Sequence, residues 1–198
     1  MRFIVASANP DKAREISGII GDAYELIPRP TSVPDVDETG ETLEDNARLK
    51  ADALVAATGE AAIADDTGLA VDALDGRPGV HTSRYSGENA TYAENVAKLL
   101  QELEGVPPER RTAQFVSVVI AKFADGTELV AEGVMPGRIA TERRGDNGFG
   151  YDPVFIPDDG DGRTFAEMAS AEKHVFSHRG RALRALMERL GEAALPPT

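Results

Sequence analysis

Phe3-Ile4-Val5-Ala6 is an apolar run that stops at Ser7 and gives way almost at once to Asn9-Pro10, a pair suited to open a helix. Asparagine fits an N-cap because its side-chain oxygen accepts from exposed backbone N–H groups, and proline fits the first helical position, where its missing N–H is no loss. A buried strand that hands over to a helix this quickly is the start of an α/β unit, and the rest of the chain has to be compatible with it. Ala13, Ile16, Ile19 and Ile20 give the helix one apolar face. After a Pro- and Asp-rich connection from Pro28 to Gly40, Thr42 opens a second helix with Asp45 as a weak capping-box partner. Leu43, Ala47, Ala51 and Leu54 line its buried side, and Gly59 closes it.

Ala61 to Ala64 predict another short strand, ending at Asp65-Asp66-Thr67-Gly68. Leu69 to Leu74 and a turn at Gly76-Arg77-Pro78-Gly79 follow. The clearest helix has Thr91 and Glu94 as capping box, Val96, Leu99, Leu100 and Leu103 as stripe, and Gly105 as stop. Phe115 to Phe123 is rich in β-branched residues and predicts a central strand, with a hairpin at Asp125-Gly126 into Glu128 to Val134. Pro136-Gly137 and the stretch from Gly145 to Gly150 are expected to be loops. Ser177 is expected to cap a last helix with Leu183, Leu186, Met187 and Leu190 as its stripe and Gly191 as its end, before a frayed Pro196-Pro197 tail. The order of elements predicts α/β or mixed α+β architecture around a twisted sheet, without internal repeats.

The absence of cysteine removes disulfides, thiolate nucleophiles and cysteine-ligated zinc. A net charge of −13 argues against a non-specific nucleic-acid binder, which needs a broad basic face, but not against a nucleotide held locally by a few lysines and a cation. No apolar stretch is long enough for a membrane span, and the N-terminal run is too short for a signal-peptide core, so a cytoplasmic protein is expected.

Five constellations carry possible chemistry. Ser7-Ala8-Asn9-Pro10-Asp11-Lys12 places a helix N-terminus and an ammonium around one point, as phosphate binding requires, though a plain strand-to-helix turn has the same residues. Asp65 and Asp66 repel each other at a strand end unless a cation offsets them, and magnesium prefers one or two carboxylates with phosphate oxygens and water. In extended backbone the two side chains point opposite ways, so one of them is expected to reach a given ligand. Asp45, Asn46 and Lys50 share the polar side of the second helix, and a solvated surface is the simpler account of them. Gly148-Phe149-Gly150-Tyr151-Asp152-Pro153 suits either stacking on a planar ligand or a tight turn with packed rings. Lys173, His178 and Arg179 put cations near a helix N-terminus, a local conflict that an anionic ligand would remove.

Other motifs fail. There is no Rossmann fingerprint, Walker lysine or Gly-x-Ser-x-Gly elbow. Asp158-Asp159-Gly160-Asp161-Gly162 breaks the EF-hand spacing, and His81, His174 and His178 lack zinc spacing.

Taken in order, Ser-x-Asn-x-x-Lys, Asp-Asn-Ala-x-x-Lys-Ala, Ala-Asp-Asp-Thr-Gly-Leu, Pro-Gly-Val with Ser-Arg-Tyr-Ser-Gly, Gly-Phe-Gly-Tyr-Asp-Pro-x-Phe and Glu-Lys with Ser-His-Arg-Gly run from about Ser7 to Leu183. This closely resembles the inosine/xanthosine triphosphate pyrophosphatase family (Ham1-like). The resemblance implies magnesium-dependent hydrolysis of ITP, dITP and XTP between the α- and β-phosphates. It also implies an elongated mixed sheet with helices on both sides, one domain over residues 1–198 with two lobes around a nucleotide cleft, and a homodimer. By the same resemblance Ser7, Ala8, Asn9, Pro10, Asp11 and Lys12 form the phosphate-binding segment, Asp66 is proton acceptor and metal ligand, and Thr67 contributes a substrate-binding hydroxyl. Lys50 joins the phosphate, and Phe149, Gly150, Tyr151, Asp152, Lys173, His178 and Arg179 match base- and phosphate-binding positions. Asp45 and Asp65 are the candidate further metal ligands, Asp45 standing where the family usually carries glutamate.

Three competitors stand beside that reading. One is a pyrophosphatase for modified pyrimidine or standard nucleotides. Another is a haloacid-dehalogenase-type phosphatase, whose Asp-x-Asp spacing is missing. The third is a non-catalytic nucleotide-binding regulator.

Overall fold

The computed structural model describes residues 1–193; the expected frayed tail at Pro196-Pro197 lies outside them. Strand β1 (Arg2–Val5) leads through helix α1 (Pro10–Ile20) to β2 (Glu25–Pro28), and α2 (Leu43–Thr58) leads to β3 (Ala62–Val71). A short β4 (Pro78–Gly79), α3 (Tyr92–Glu102), β5 (Thr112–Lys122), β6 (Glu128–Ile139), β7 (Phe155–Pro157), α4 (Ser170–Phe176) and α5 (His178–Ala193) complete the order. The sheet runs β2-β1-β3-β5-β6-β7, with β4 paired to β3. It is mixed: β1 is parallel to β2 and β3, whereas β3–β4 and β6–β7 are antiparallel.

The chain divides into two compact units. The first comprises Met1–Asp66, Ser117–Gly133 and the chain from His178 on; the second comprises Thr67–Val116 and Val134–Ser177. In the first unit, alternation along the strands sorts side chains onto two faces. Phe3, Val5, Ile63, Val119 and Ala121 pack with Ile16 and Ile20 of α1 and Leu183, Leu186 and Leu190 of α5. Ile4, Ala6, Ala62, Ala64, Val118 and Ile120 pack with Ala47, Ala51 and Leu54 of α2. The second unit buries Leu69, Val71, Val96, Leu99, Leu103, Phe115, Met135, Phe155 and Phe165 in a core of its own.

The capping signals act as their chemistry predicts. Asn9 accepts from the N–H groups of Asp11 and Lys12, Thr42 from that of Asp45, and Thr91 and Glu94 close a full capping box. Gly59 ends α2 in the left-handed region at φ 68°.

Elsewhere the structure corrects the expectations. Strand β3 does not end at Asp65 but continues to Val71, because each carboxylate finds cationic partners and the ladder need not break. Pro136-Gly137 is not a loop: both residues lie in β6, where exposed Pro136 accepts from the Asp158 N–H through its carbonyl. Gly137 is there because a Cβ would lie 2.4 Å from the Ile156 carbonyl oxygen. Strand β2 and helix α4 were not anticipated, and α5 runs past Gly191 to Ala193, since a glycine in the last turn weakens a helix by only about 1 kcal/mol.

Gly133 of β6 marks a close approach of strand and helix in the first unit. A Cβ there would sit 2.2 Å from the His178 carbonyl oxygen and 2.4 Å from the Ala182 nitrogen, both rigid backbone atoms. Gly133→Ala is therefore expected to destabilise the protein by about 1–3 kcal/mol, the usual range for forced overpacking. Chemical denaturation of the variant beside the parent checks this.

Candidate active site

The parity that sorts the core also separates the two adjacent carboxylates. Asp65 shares its side of β3 with Ile63 and faces the helices α1 and α5; Asp66 shares its side with Ala62 and Ala64 and faces α2. Both are buried, at 2% and 4% exposure, so each needs compensation.

Asp65 receives it from inside the molecule. The guanidinium of Arg179 donates to its Oδ2 from Nε and Nη2, both at 3.1 Å, and the Lys12 ammonium lies 3.4 Å away. Glu15, buried on α1, takes another arm of the same guanidinium through Nη1. The cation conflict at the start of α5 is thus resolved by two carboxylates of the chain itself. Burial alone would raise the Asp65 carboxyl, but Lys12, Arg179 and Lys50 more than offset it and hold it below the usual carboxylate range.

Asp66 is arranged differently. Lys50, projecting from α2, lies 3.0 Å from Asp66 Oδ1 and also 3.0 Å from Glu38 Oε1. The side-chain amide of Asn46 donates to Asp66 Oδ2 at 3.4 Å, and Lys12 lies 4.0 Å from Oδ1. Burial is the largest influence and raises the Asp66 carboxyl; Lys12 and Lys50 oppose it, while Glu38 adds to it. Neighbouring carboxyls are therefore driven apart, one held low and one pushed up. That is how a structure assigns two acids different duties.

Glu38 escaped the sequence reading. It lies in the loop from Pro28 to Gly40, where no periodicity reports a side chain's direction. A signal existed in Gly40, whose N–H donates to Asn46 Oδ1 at 2.8 Å and where a Cβ would lie 2.6 Å from that of Asp45. The glycine lets the loop lie against the first turn of α2. Asp45 takes no part in the cluster: it accepts from the Thr42 hydroxyl, faces Arg48 at 3.8 Å, and its side chain is 48% exposed.

Ser7 to Lys12 form the turn from β1 into α1, with Ala8 and Pro10 exposed. The Asp11 and Lys12 N–H groups are engaged by Asn9, so the cation this segment adds to the cluster is the Lys12 ammonium. His178 is buried at the start of α5 beside Arg179.

The other candidates gather in the second unit. Thr67 follows Asp66 along β3. Asp152, buried, accepts from the Phe149 N–H at 2.9 Å and from the Lys173 ammonium at 2.6 Å. That ammonium also lies 5.1 Å from the centre of the Phe149 ring. Gly148 and Gly150 take positive φ, 72° and 61°, and a Cβ on Gly148 would meet the Asp152 carboxylate at 2.0 Å. The ring of Tyr151 points inward, its hydroxyl donating to the Thr82 carbonyl at 3.1 Å. The segment is thus both a tight turn and a display of Phe149.

The carboxylates at the Lys50 ammonium offer hard oxygen donors of the kind magnesium accepts, two of them converging on one cationic point. Among the described residues no group of three or more His, Cys, Asp or Glu side chains is placed to hold a metal ion. No helix among those residues is long and apolar enough to cross a membrane.

Comparison with known proteins gives a consistent picture. The Ham1 family model matches residues 3–189. A dITP/XTP pyrophosphatase of Mycolicibacterium paratuberculosis is 48% identical over 95% of this chain and 95% of its own length. One from Streptococcus agalactiae is also 48% identical over 94% of this chain, which spans only 58% of that longer relative. The structure of a HAM1 protein from Coxiella burnetii superposes with a TM-score of 0.86 at 42% identity, covering 97% of this chain and 99% of that one.

Proposed function

Since the chain belongs to the Ham1 family, we propose that it hydrolyses ITP, dITP and XTP to the nucleoside monophosphate and pyrophosphate, clearing these purine nucleotides from the cellular pool. The observation that carries this reading is the Lys50 ammonium, 3.0 Å from both Asp66 and Glu38, with Lys12 beside them. Carboxylates and ammoniums brought together from the middle of β3, the first turn of α1, one face of α2 and the loop before it are what a polyphosphate with its cation requires.

Lys12 and Lys50 would bind the phosphate chain as point charges. Asp66 and Glu38 would hold magnesium: the Asp45 carboxylate is half exposed beside Thr42 and Arg48, and Asp65 is committed to Arg179. When bound, the ion neutralises charge on the phosphate oxygens. Asp66 is the group to accept a proton from the attacking water, and Asn46 and Lys50 fix its orientation. Arg179 and Glu15 would hold Asp65, in the middle of β3, in place.

In the second unit, Phe149 would stack on the purine, with Asp152 fixing the turn and Lys173 as donor. A 6-keto oxygen accepts from an ammonium, whereas the 6-amino group of adenine would set donor against donor. ITP and XTP are therefore expected to be turned over with kcat/KM at least about 10²-fold above ATP. A pyrophosphate-release profile over ITP, XTP, dUTP and the standard triphosphates, with magnesium and with chelator, checks this. Release of orthophosphate, preference for a pyrimidine nucleotide, or tight ITP binding without turnover would overturn the assignment.

A further inference from the structure

Tyr92 is a large aromatic residue that the second unit does not bury. Its exposure is 40%, against 8% for Tyr85 and 3% for Tyr151 in the same unit. It is the first residue of α3, where its backbone is fixed by the capping box: the Glu94 N–H donates to the Thr91 hydroxyl at 3.2 Å and the Thr91 N–H to the Glu94 carboxylate at 2.7 Å. From that fixed point its ring meets the ring of Phe149, with centroids 5.8 Å apart and planes inclined at 42°.

Phe149 is itself held by its N–H bond to Asp152 and by the Lys173 ammonium near its ring. Two restrained rings thus form one aromatic surface that stays partly open to water. Flat heterocycles are the chemistry that matches such a surface, and it is continuous with the ring assigned to the base.

We propose that Tyr92 is a second nucleobase-binding residue, extending the Phe149 surface on which the purine stacks. The proposal rests on the reading of Phe149 as the base-binding ring. Tyr92 contributes contact area and no proton or charge, so its effect falls on substrate affinity more than on turnover.

The test compares Tyr92→Ala, Tyr92→Phe and Phe149→Ala with the parent, measuring KM and kcat for ITP and the inhibition constant of inorganic tripolyphosphate, which has phosphates but no base. Loss of a stacking ring is expected to raise KM about tenfold in Tyr92→Ala, with kcat within about twofold, and Tyr92→Phe is expected to restore KM. Tripolyphosphate inhibition is expected to stay as in the parent. Should Phe149→Ala raise KM while Tyr92→Ala does not, the role given to Tyr92 is overturned and the base-binding reading survives. Should neither change KM, both fall together. Equal weakening of ITP and tripolyphosphate by Tyr92→Ala would mean a structural role, and would equally overturn the proposal.

Discussion

Asp66→Asn is expected to lower kcat for ITP by about 10²- to 10⁴-fold, the range seen when a positioned proton acceptor is removed. The substitution preserves shape and the contact with Asn46 but abolishes the charge that Lys50 and Lys12 face. Lys50 would then pair with Glu38 alone. Burial pushes the Asp66 carboxyl up and so favours a neutral side chain there, which offsets the counter-charge that Lys50 and Lys12 lose. A thermal melt close to that of the parent, together with the loss of turnover, is the expected pair of results. Magnesium titration divides the loss further. If the half-saturating magnesium concentration rises along with the fall in kcat, the carboxylate holds the ion; if kcat falls alone, its work is on the water. Near-normal turnover would take Asp66 out of the mechanism.

Arg179→Met is expected to have the largest effect on stability, about 3–5 kcal/mol, because it strips the central cation from two buried carboxylates. Arg179 is 1% exposed, with Asp65 at 2% and Glu15 at 9%. Without the guanidinium, Lys12 would be left as the nearest compensating charge for Asp65. The origin of the loss can be checked within the same experiment. Adding Glu15→Gln to Arg179→Met removes one of the stranded charges and is expected to recover part of the stability, whereas Glu15→Gln alone should destabilise. Denaturant unfolding of the three variants measures the non-additivity. Simple addition of the two losses would show that the carboxylates and the guanidinium do not act as a unit.

Local chemistry made much of the fold legible. Asn9, Thr42, Thr91 and Gly59 act on neighbours within one helical turn, so their caps could be read from spacing alone. The stripes of α1, α2 and α5 needed only the helical period. The opposed directions of Asp65 and Asp66 followed from the strand period, even though the strand was expected to stop there. What stayed hidden depends on contacts far apart in the chain. Arg179 meets Asp65 across 114 positions and Glu15 across 164, and no local rule signals such a partnership. Its cations therefore looked like a conflict awaiting an external anion. Glu38 was hidden for a different reason: an irregular loop has no period, and its approach to Lys50 is set by how that loop lies on α2. Phe149, Asp152 and Lys173 were recognised as candidates, but the bond from Lys173 to Asp152 that makes the turn rigid was not readable in the sequence.

The alternation along β3 has a consequence for how such a chain can diverge. Swapping one apolar residue for another between Ala62 and Ala64 leaves each acid on its own side, but inserting or deleting a single residue there would rotate the frame by half a turn. The acid meant for the guanidinium would then look at the lysine, and its neighbour the reverse. A change of length in the connecting loops leaves that alternation intact, whereas one residue more or less in this short stretch misdirects both acids at once.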